Sequence, residues 1–100
     1  MKSKKKLAPV HPGEILRTEL LEPLGLSANK LGLELRVPAN RIMAIVNGER
    51  AITANTALRL ARYFGMSPQF WMNSQARYDL EVAEDELAAR IEREVNPRAA

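Results

Sequence analysis

Residues 27–48 read SANKLGLELRVPANRIMAIVNG, two short apolar periodicities parted by a break too brief to be a loop of its own. Leu31 and Leu35, with small Gly32 between them, form one stripe; after Arg36, Val37, Ile42 and Ile45 form another, with polar residues opposite. This spacing predicts two helices. Ser27 suits the N-cap of the first, and Pro38 suits the first turn of the second, where a missing amide proton costs nothing. Asn47-Gly48 stops the second, since Gly48 can take the left-handed conformation. Two helices joined by so short a turn cross steeply, the geometry of a helix-turn-helix.

The flanks extend the same reading. His11-Pro12-Gly13 punctuates the start of a helix over Glu14–Glu22, with Ile15, Leu16, Leu20 and Leu21 on its apolar side and Pro23 as its stop. Leu24 and Leu26 flank Gly25 as a hydrophobic corner. Thr53 opens a fourth helix, its hydroxyl capping the stripe Ala57, Leu60, Ala61, Phe64, and Gly65 closes it. Ser67-Pro68 is an N-cap followed by proline, so a fifth helix begins there and carries Phe70, Trp71 and Tyr78. Tyr63, Phe64, Phe70 and Trp71 lie close together, and aromatics so spaced are core residues that clamp the fourth and fifth helices over the others. Residues 81–95, EVAEDELAARIEREV, are rich in helix formers and meet no breaker before Pro97. Leu80, Ala83, Leu87 and Ile91 fall on one face there. Such a narrow seam either finds a surface, on its own domain or another chain, or belongs to a solvated, fraying helix.

Composition bounds the function. One hundred residues make one domain with a single core. No apolar run approaches the roughly 20 residues that span a bilayer, and MKSKKK lacks a signal peptide's apolar stretch, so a cytoplasmic protein is expected. The absence of cysteine excludes a disulfide framework and any thiolate metal site. The net charge of +3 divides unevenly: up to Leu80 there are 12 Lys and Arg against 6 Asp and Glu, and from Glu81 onward 3 against 6. The expected organisation is a flexible basic arm over 1–10, a helix-turn-helix domain over 11–80 and an acidic helical extension over 81–100. A basic body approaches a polyanion favourably through counterion release, which makes nucleic acid the first partner to consider, although Lys and Arg are also ordinary surface residues.

With the second helix of the unit in the major groove, its N-terminal residues and the face away from Ile42 and Ile45 reach base edges. These are Ala39, Asn40, Met43 and Ala44, with Arg41 at the margin. Asn40 can pair with adenine and Arg41 with guanine, at roughly 1–3 kcal/mol of discrimination each; the others offer apolar contact only, so DNA shape carries part of the specificity. Phosphate contacts are expected from Ser27, Asn29, Asn47 and Thr53 at helix starts and ends, with charge from Lys30, Arg36 and Arg50.

From His11 to Ala83 the chain resembles the HigA family of antitoxins, within the lambda-repressor-like helix-turn-helix superfamily. The pieces that carry the likeness are HPGEIL, LEPLGLS, RI-x-x-IVNG, ITA-x-TALRLARYFG and SPQFWMN. The resemblance implies an all-α, five-helix domain, a dimer on a palindromic operator in double-stranded DNA, repression of its own operon, and neutralisation of a RelE-like toxin that cleaves messenger RNA. Two positions depart from the usual helix-turn-helix pattern. Gly32 stands where alanine is commoner, at a cost of roughly 0.5–1 kcal/mol, and Arg36 stands where the turn usually has glycine, which forces a left-handed backbone at about 1–2 kcal/mol or a different turn.

An enzyme is the least favoured class. The lone His11, the missing cysteine and the scattered carboxylates assemble neither a nucleophile-base pair nor a metal cluster, no glycine-rich phosphate loop is present, and no cofactor is expected. The contest lies between an antitoxin that also binds DNA and a stand-alone repressor, with a pure protein-interaction module third. A homodimer is expected to place its reading helices about 34 Å apart, with Trp71, Tyr78, Leu80, Leu87 and Ile91 of the fifth helix and tail at the contact. The acidic surface over 81–94 is one candidate for a basic toxin; the first helix and the lysine arm compete with it.

Overall fold

Pro12 begins the first helix because its fixed backbone angle suits a first turn and its missing amide proton is not needed there. His11 caps that turn, Nδ1 accepting from the Gly13 amide at 2.9 Å. The computed structural model describes residues 7–99; residues 1–6 of the expected basic arm lie outside the described residues, and Leu7–Val10 form no regular element. Helix α1 is continuous through Pro12–Ile15, a π-wound stretch Leu16–Leu21, and Glu22–Leu24. It therefore runs past Pro23, the expected stop. The Glu22 amide reaches back five residues to the Arg17 carbonyl, and this widened turn takes up the proline without breaking the helix.

Helices α2 (Ala28–Leu35), α3 (Ala39–Val46), α4 (Ala54–Phe64) and α5 (Pro68–Glu94) follow, and no strand occurs among the described residues. The protein is all-α, with the five-helix arrangement of a lambda-repressor-like domain. Four of the helices end alike: Leu26, Val37, Glu49 and Met66 each donate an amide proton to a carbonyl five residues back, at 2.8–3.0 Å. Such an end requires a left-handed residue just before the donor. Glycine fills that place three times, and the fourth is Arg36, at φ 61° and ψ 46°, the one non-glycine residue with positive φ among those described. The turn thus keeps its usual geometry and carries the strain of an arginine there. Leu26, Val37 and Met66, the donors themselves, pack against the core and anchor these ends.

Two expected caps differ. Helix α3 begins at Ala39, so Pro38 is its N-cap rather than part of its first turn. Thr53 precedes α4 but its hydroxyl makes no capping bond, whereas Ser27 and Ser67 do accept from Lys30 and Gln69 amides.

One core joins all five helices: Leu16 and Leu21 of α1, Leu31 and Leu35 of α2, Ile42 and Ile45 of α3, Ile52 of the α3–α4 loop, Ala57 and Leu60 of α4, and Trp71 of α5. Each fully buried Leu or Ile removes enough apolar surface to contribute about 1.5–3 kcal/mol. Of the aromatic cluster, Trp71 is wholly buried and Phe64 packs against the core, but Tyr63 and Phe70 are exposed, so the clamp rests on two rings instead of four. At Gly13 an added Cβ would collide with the Ile45 carbonyl, so the start of α1 lies directly on the last turn of α3. Gln75 completes the junction: its Oε1 accepts from the buried Ile52 amide at 2.8 Å, and its Nε2 donates to Asp79 at 2.9 Å.

Candidate DNA interface

Close approach of α2 and α3 depends on Gly32. A Cβ there would stand 3.0 Å from the Val37 carbonyl oxygen and 3.1 Å from the Ala39 Cα, tighter than ordinary packing allows. The glycine costs its own helix some stability and lets α3 lie against it. The far end of α2 is braced by Arg59 of α4, whose guanidinium donates to the Leu35 carbonyl at 2.9 Å and whose Nε donates to Asn55 at 2.9 Å. Periodicity did not single out Arg59; it lies 24 residues from the carbonyl it holds.

Because successive residues turn by about 100° around a helix, burial of Ile42 and Ile45 directs Asn40, Met43 and Ala44 outward, with Asn47 two turns beyond Asn40. Asn40 and Asn47 are exposed, Met43 is 49% exposed, and Ala39 and Ala44 are half-buried. Arg41 lies on the flank, half-buried, its Nε shielded and without a hydrogen-bond partner. The outward face thus has one amide side chain at its N-terminal end, a thioether and an alanine in the middle, and a second amide at its C-terminal end. Asn47, expected only as a phosphate contact, shares the face of Asn40.

Polar groups stand on both sides of this face. On α2 and its turn, Ser27, Asn29, Lys30 and Arg36 are exposed; Ser27 accepts from the Lys30 amide, and the Lys30 ammonium pairs with Glu34 at 3.0 Å. On the α3–α4 loop, Asn47, Arg50 and Thr53 are exposed. The Thr53 hydroxyl does not cap α4, so the helix's first amides keep free donors beside it, an arrangement suited to an anion.

His11, read from the sequence only as a helix-start residue, sits behind that loop. Its ring meets Tyr78 of α5 edge-on with centroids 4.8 Å apart, and it lies beside the Arg50 backbone. Burial holds its pKa below the ordinary 6.5, against the opposing pull of Asp79 and the Arg50 backbone. On α5, Trp71 is 0% exposed and lies inside its own domain, so it offers no surface to a second chain. Tyr78 is half-buried beside His11, and Leu80, Leu87 and Ile91 are 60%, 38% and 49% exposed. Among the described residues no group of three or more His, Cys, Asp or Glu side chains could hold a metal ion, and no helix is long and apolar enough to cross a membrane.

Comparison with known proteins identifies this architecture. Residues 18–71 match the helix-turn-helix family model. The chain is 53% identical to virulence-associated protein I of Dichelobacter nodosus, over 83% of this chain and 77% of that one. Among solved structures it is similar to an addiction module antidote protein of the HigA family from Coxiella burnetii, at 50% identity and a TM-score of 0.87, covering 92% of this chain and 100% of the other. It is similar as well to the Pseudomonas aeruginosa antitoxin HigA with the higBA promoter, at 44% identity and a TM-score of 0.89, covering 91% and 99%. The helix-turn-helix of α2 and α3 and these likenesses over nearly the whole chain place it in one family: the chain belongs to the HigA family of helix-turn-helix proteins.

Proposed function

We propose that this chain is the antitoxin of a type II toxin-antitoxin pair, a cytoplasmic homodimer that represses its own operon through a palindromic operator and masks a RelE-like, messenger-RNA-cleaving toxin. The observation that carries the DNA half is the outward face of α3, Asn40 to Asn47, flanked by exposed cations and amides on α2 and the α3–α4 loop. Asn40 supplies the polar base contact, its amide oxygen accepting from adenine N6 and its NH2 donating to adenine N7, with Ala39, Met43 and Ala44 in apolar contact with bases. Arg41, turned to the flank, reaches a base edge or phosphate only along the groove wall. Ser27, Asn29, Lys30, Arg36, Asn47, Arg50 and Thr53 fix register on the phosphates. The exposed seam of Leu80, Leu87 and Ile91 supports the dimer, and the acidic residues around it support attraction of a basic toxin.

The test is co-purification of the tagged chain from its native host with mass spectrometry of what it carries, alongside titration of the chain with DNA from upstream of its own coding sequence. A small basic RelE-like protein recovered in fixed stoichiometry establishes the antitoxin. Recovery of the chain alone at low salt, with the DNA still bound, leaves a stand-alone repressor. Asn40→Ala should cost about 1–3 kcal/mol of preference for the upstream duplex while sparing non-specific binding; unchanged preference removes Asn40 from the reading face.

A further inference from the structure

The α3–α4 loop carries three of the proposed phosphate contacts, Asn47, Arg50 and Thr53, yet no helix runs through it. Something else must hold it against α3. One tie is Gln75, which fixes the Ile52 amide from α5. The other lies at His11, whose side chain packs on the loop: a Cβ on Gly48 would stand 3.8 Å from the imidazole Cγ, and the Arg50 backbone lies beside the ring. The same ring caps α1 through the Gly13 amide and leans on Tyr78 of α5. Tyr78 and Asp79 lie one turn beyond Gln75 on the same helix, and Gln75 is hydrogen-bonded to Asp79. Both ties therefore run from the loop to one patch of α5.

We propose that His11 is a positioning residue for the DNA-facing loop: it locks Gly48–Arg50 to the start of α1 and to Tyr78, so that the loop keeps its register beside the reading helix. The consequence for DNA rests on the function proposed above; the mechanical role does not. The neutral ring is required, because Nδ1 accepts from Gly13 and the proton must sit on the other nitrogen. Protonation of Nδ1 removes the cap. The groups that face the ring are Tyr78 and Asp79 from α5, the Arg50 backbone from the loop, and the Gly13 amide from α1, with Glu14 next to it in the same turn.

The sign of the pH dependence follows. The folded pKa lies below the unfolded one, so the unfolded chain binds more protons between the two values, and the stabilisation by neutral His11 is lost as pH falls from about 6.5 through the folded value. Non-specific DNA binding has the opposite tendency, because a protein gaining positive charge holds phosphate more tightly. His11 is the sole histidine of the sequence, which leaves one side chain with an ordinary pKa in this range.

The experiment uses the full chain and His11→Asn, whose side-chain oxygen can still cap α1 but which has no ring for Tyr78 or Gly48 and no titration. Amide hydrogen exchange is followed at Gly48–Ile52 in the free protein. Binding is measured to a duplex from upstream of its own coding sequence and to a scrambled duplex, at about pH 8 and about pH 5.5, spanning the histidine range. The expected result is faster exchange at Gly48–Arg50 with unchanged far-UV circular dichroism, about a tenfold loss of affinity for the upstream duplex, and no loss for the scrambled one. The wild-type chain's preference should weaken towards the lower pH, and His11→Asn should show no such change. Equal exchange in the two proteins, or the same pH profile and preference with only a lower melting temperature, overturns the proposal. If the wild-type chain binds both duplexes alike, the DNA reading fails, and the exchange data alone decide whether His11 holds the loop.

Discussion

Between Pro68 and Tyr78, α5 buries Trp71 completely, sends Gln75 into the Ile52 junction and rests Tyr78 on His11; from Glu84 to Glu94 the same helix buries nothing. The two halves share one backbone and differ in what holds them. The first is kept helical by packing. The second has local pairs, such as Arg90 with Glu94 at 2.9 Å, each worth about 0.2–0.5 kcal/mol, and a stretch this short is marginal as an isolated helix in water. It persists because the packed half has already nucleated it. The result is a body with a rod projecting from it, 52 Å in its longest dimension, with a radius of gyration of 16.9 Å against about 13 Å for a compact chain of this length. With Leu80, Leu87 and Ile91 at its surface, this part of α5 leaves apolar area in water, and burying that area would be favourable.

The strongest break in that comparison is Trp71→Ala. Removing the largest fully buried side chain should cost about 3–5 kcal/mol in urea denaturation. Loss of helix signal should include the projecting half, since its nucleus goes with the packed half. Retention of the rod's helicity after the body has melted would show that the extension folds on its own charges.

A smaller effect, of opposite sign, tests how well the body is determined. Arg36 holds a left-handed conformation because the Val37–Gly32 hydrogen bond at 3.0 Å and the tight seat of Ala39 on Gly32 fix the turn around it. Arg36→Gly should therefore raise stability by about 1 kcal/mol, the lower end of the left-handed penalty. It should also weaken DNA binding by one phosphate contact, read as a shallower dependence of affinity on salt.

The place of the turn at Arg36 was legible because it is local, marked by two apolar stripes, a break and a residue where glycine is usual; of the two geometries left open there, the structure takes the left-handed one. Equally legible were the ends at Gly48 and Gly65 and the Ser27 and Ser67 caps. What escaped depends on residues distant in the chain. Arg59 meets the Leu35 carbonyl, Gln75 meets the Ile52 amide and His11 meets Tyr78, and no periodicity within one helix announces any of these. The π-wound middle of α1 escaped because Pro23 reads as a stop unless the preceding turn can widen. On α3 the sequence already set Arg41 at the margin of the face that Asn40 occupies, and burial agrees: Asn40 points out and Arg41 lies along the flank. Burial divides the candidate contacts of α5, where Trp71 resembles Leu87 and Ile91 in being apolar and differs by lying inside the body.

The smallest expected effect on the body comes from the pair Leu87→Lys and Ile91→Lys. Neither side chain packs into the core, so denaturation at protein concentrations too low for association should shift by no more than about 0.5 kcal/mol. Lysine is a good helix former, and the rod should stay helical. Its consequence should appear in sedimentation: the proposed dimer should dissociate, because two ammonium groups would have to be buried in the seam without partners. A dimer that survives would move the interface off the rod. A large loss of stability in the isolated monomer would instead mean that the seam folds back on its own body, and the contrast between the two halves of α5 would collapse.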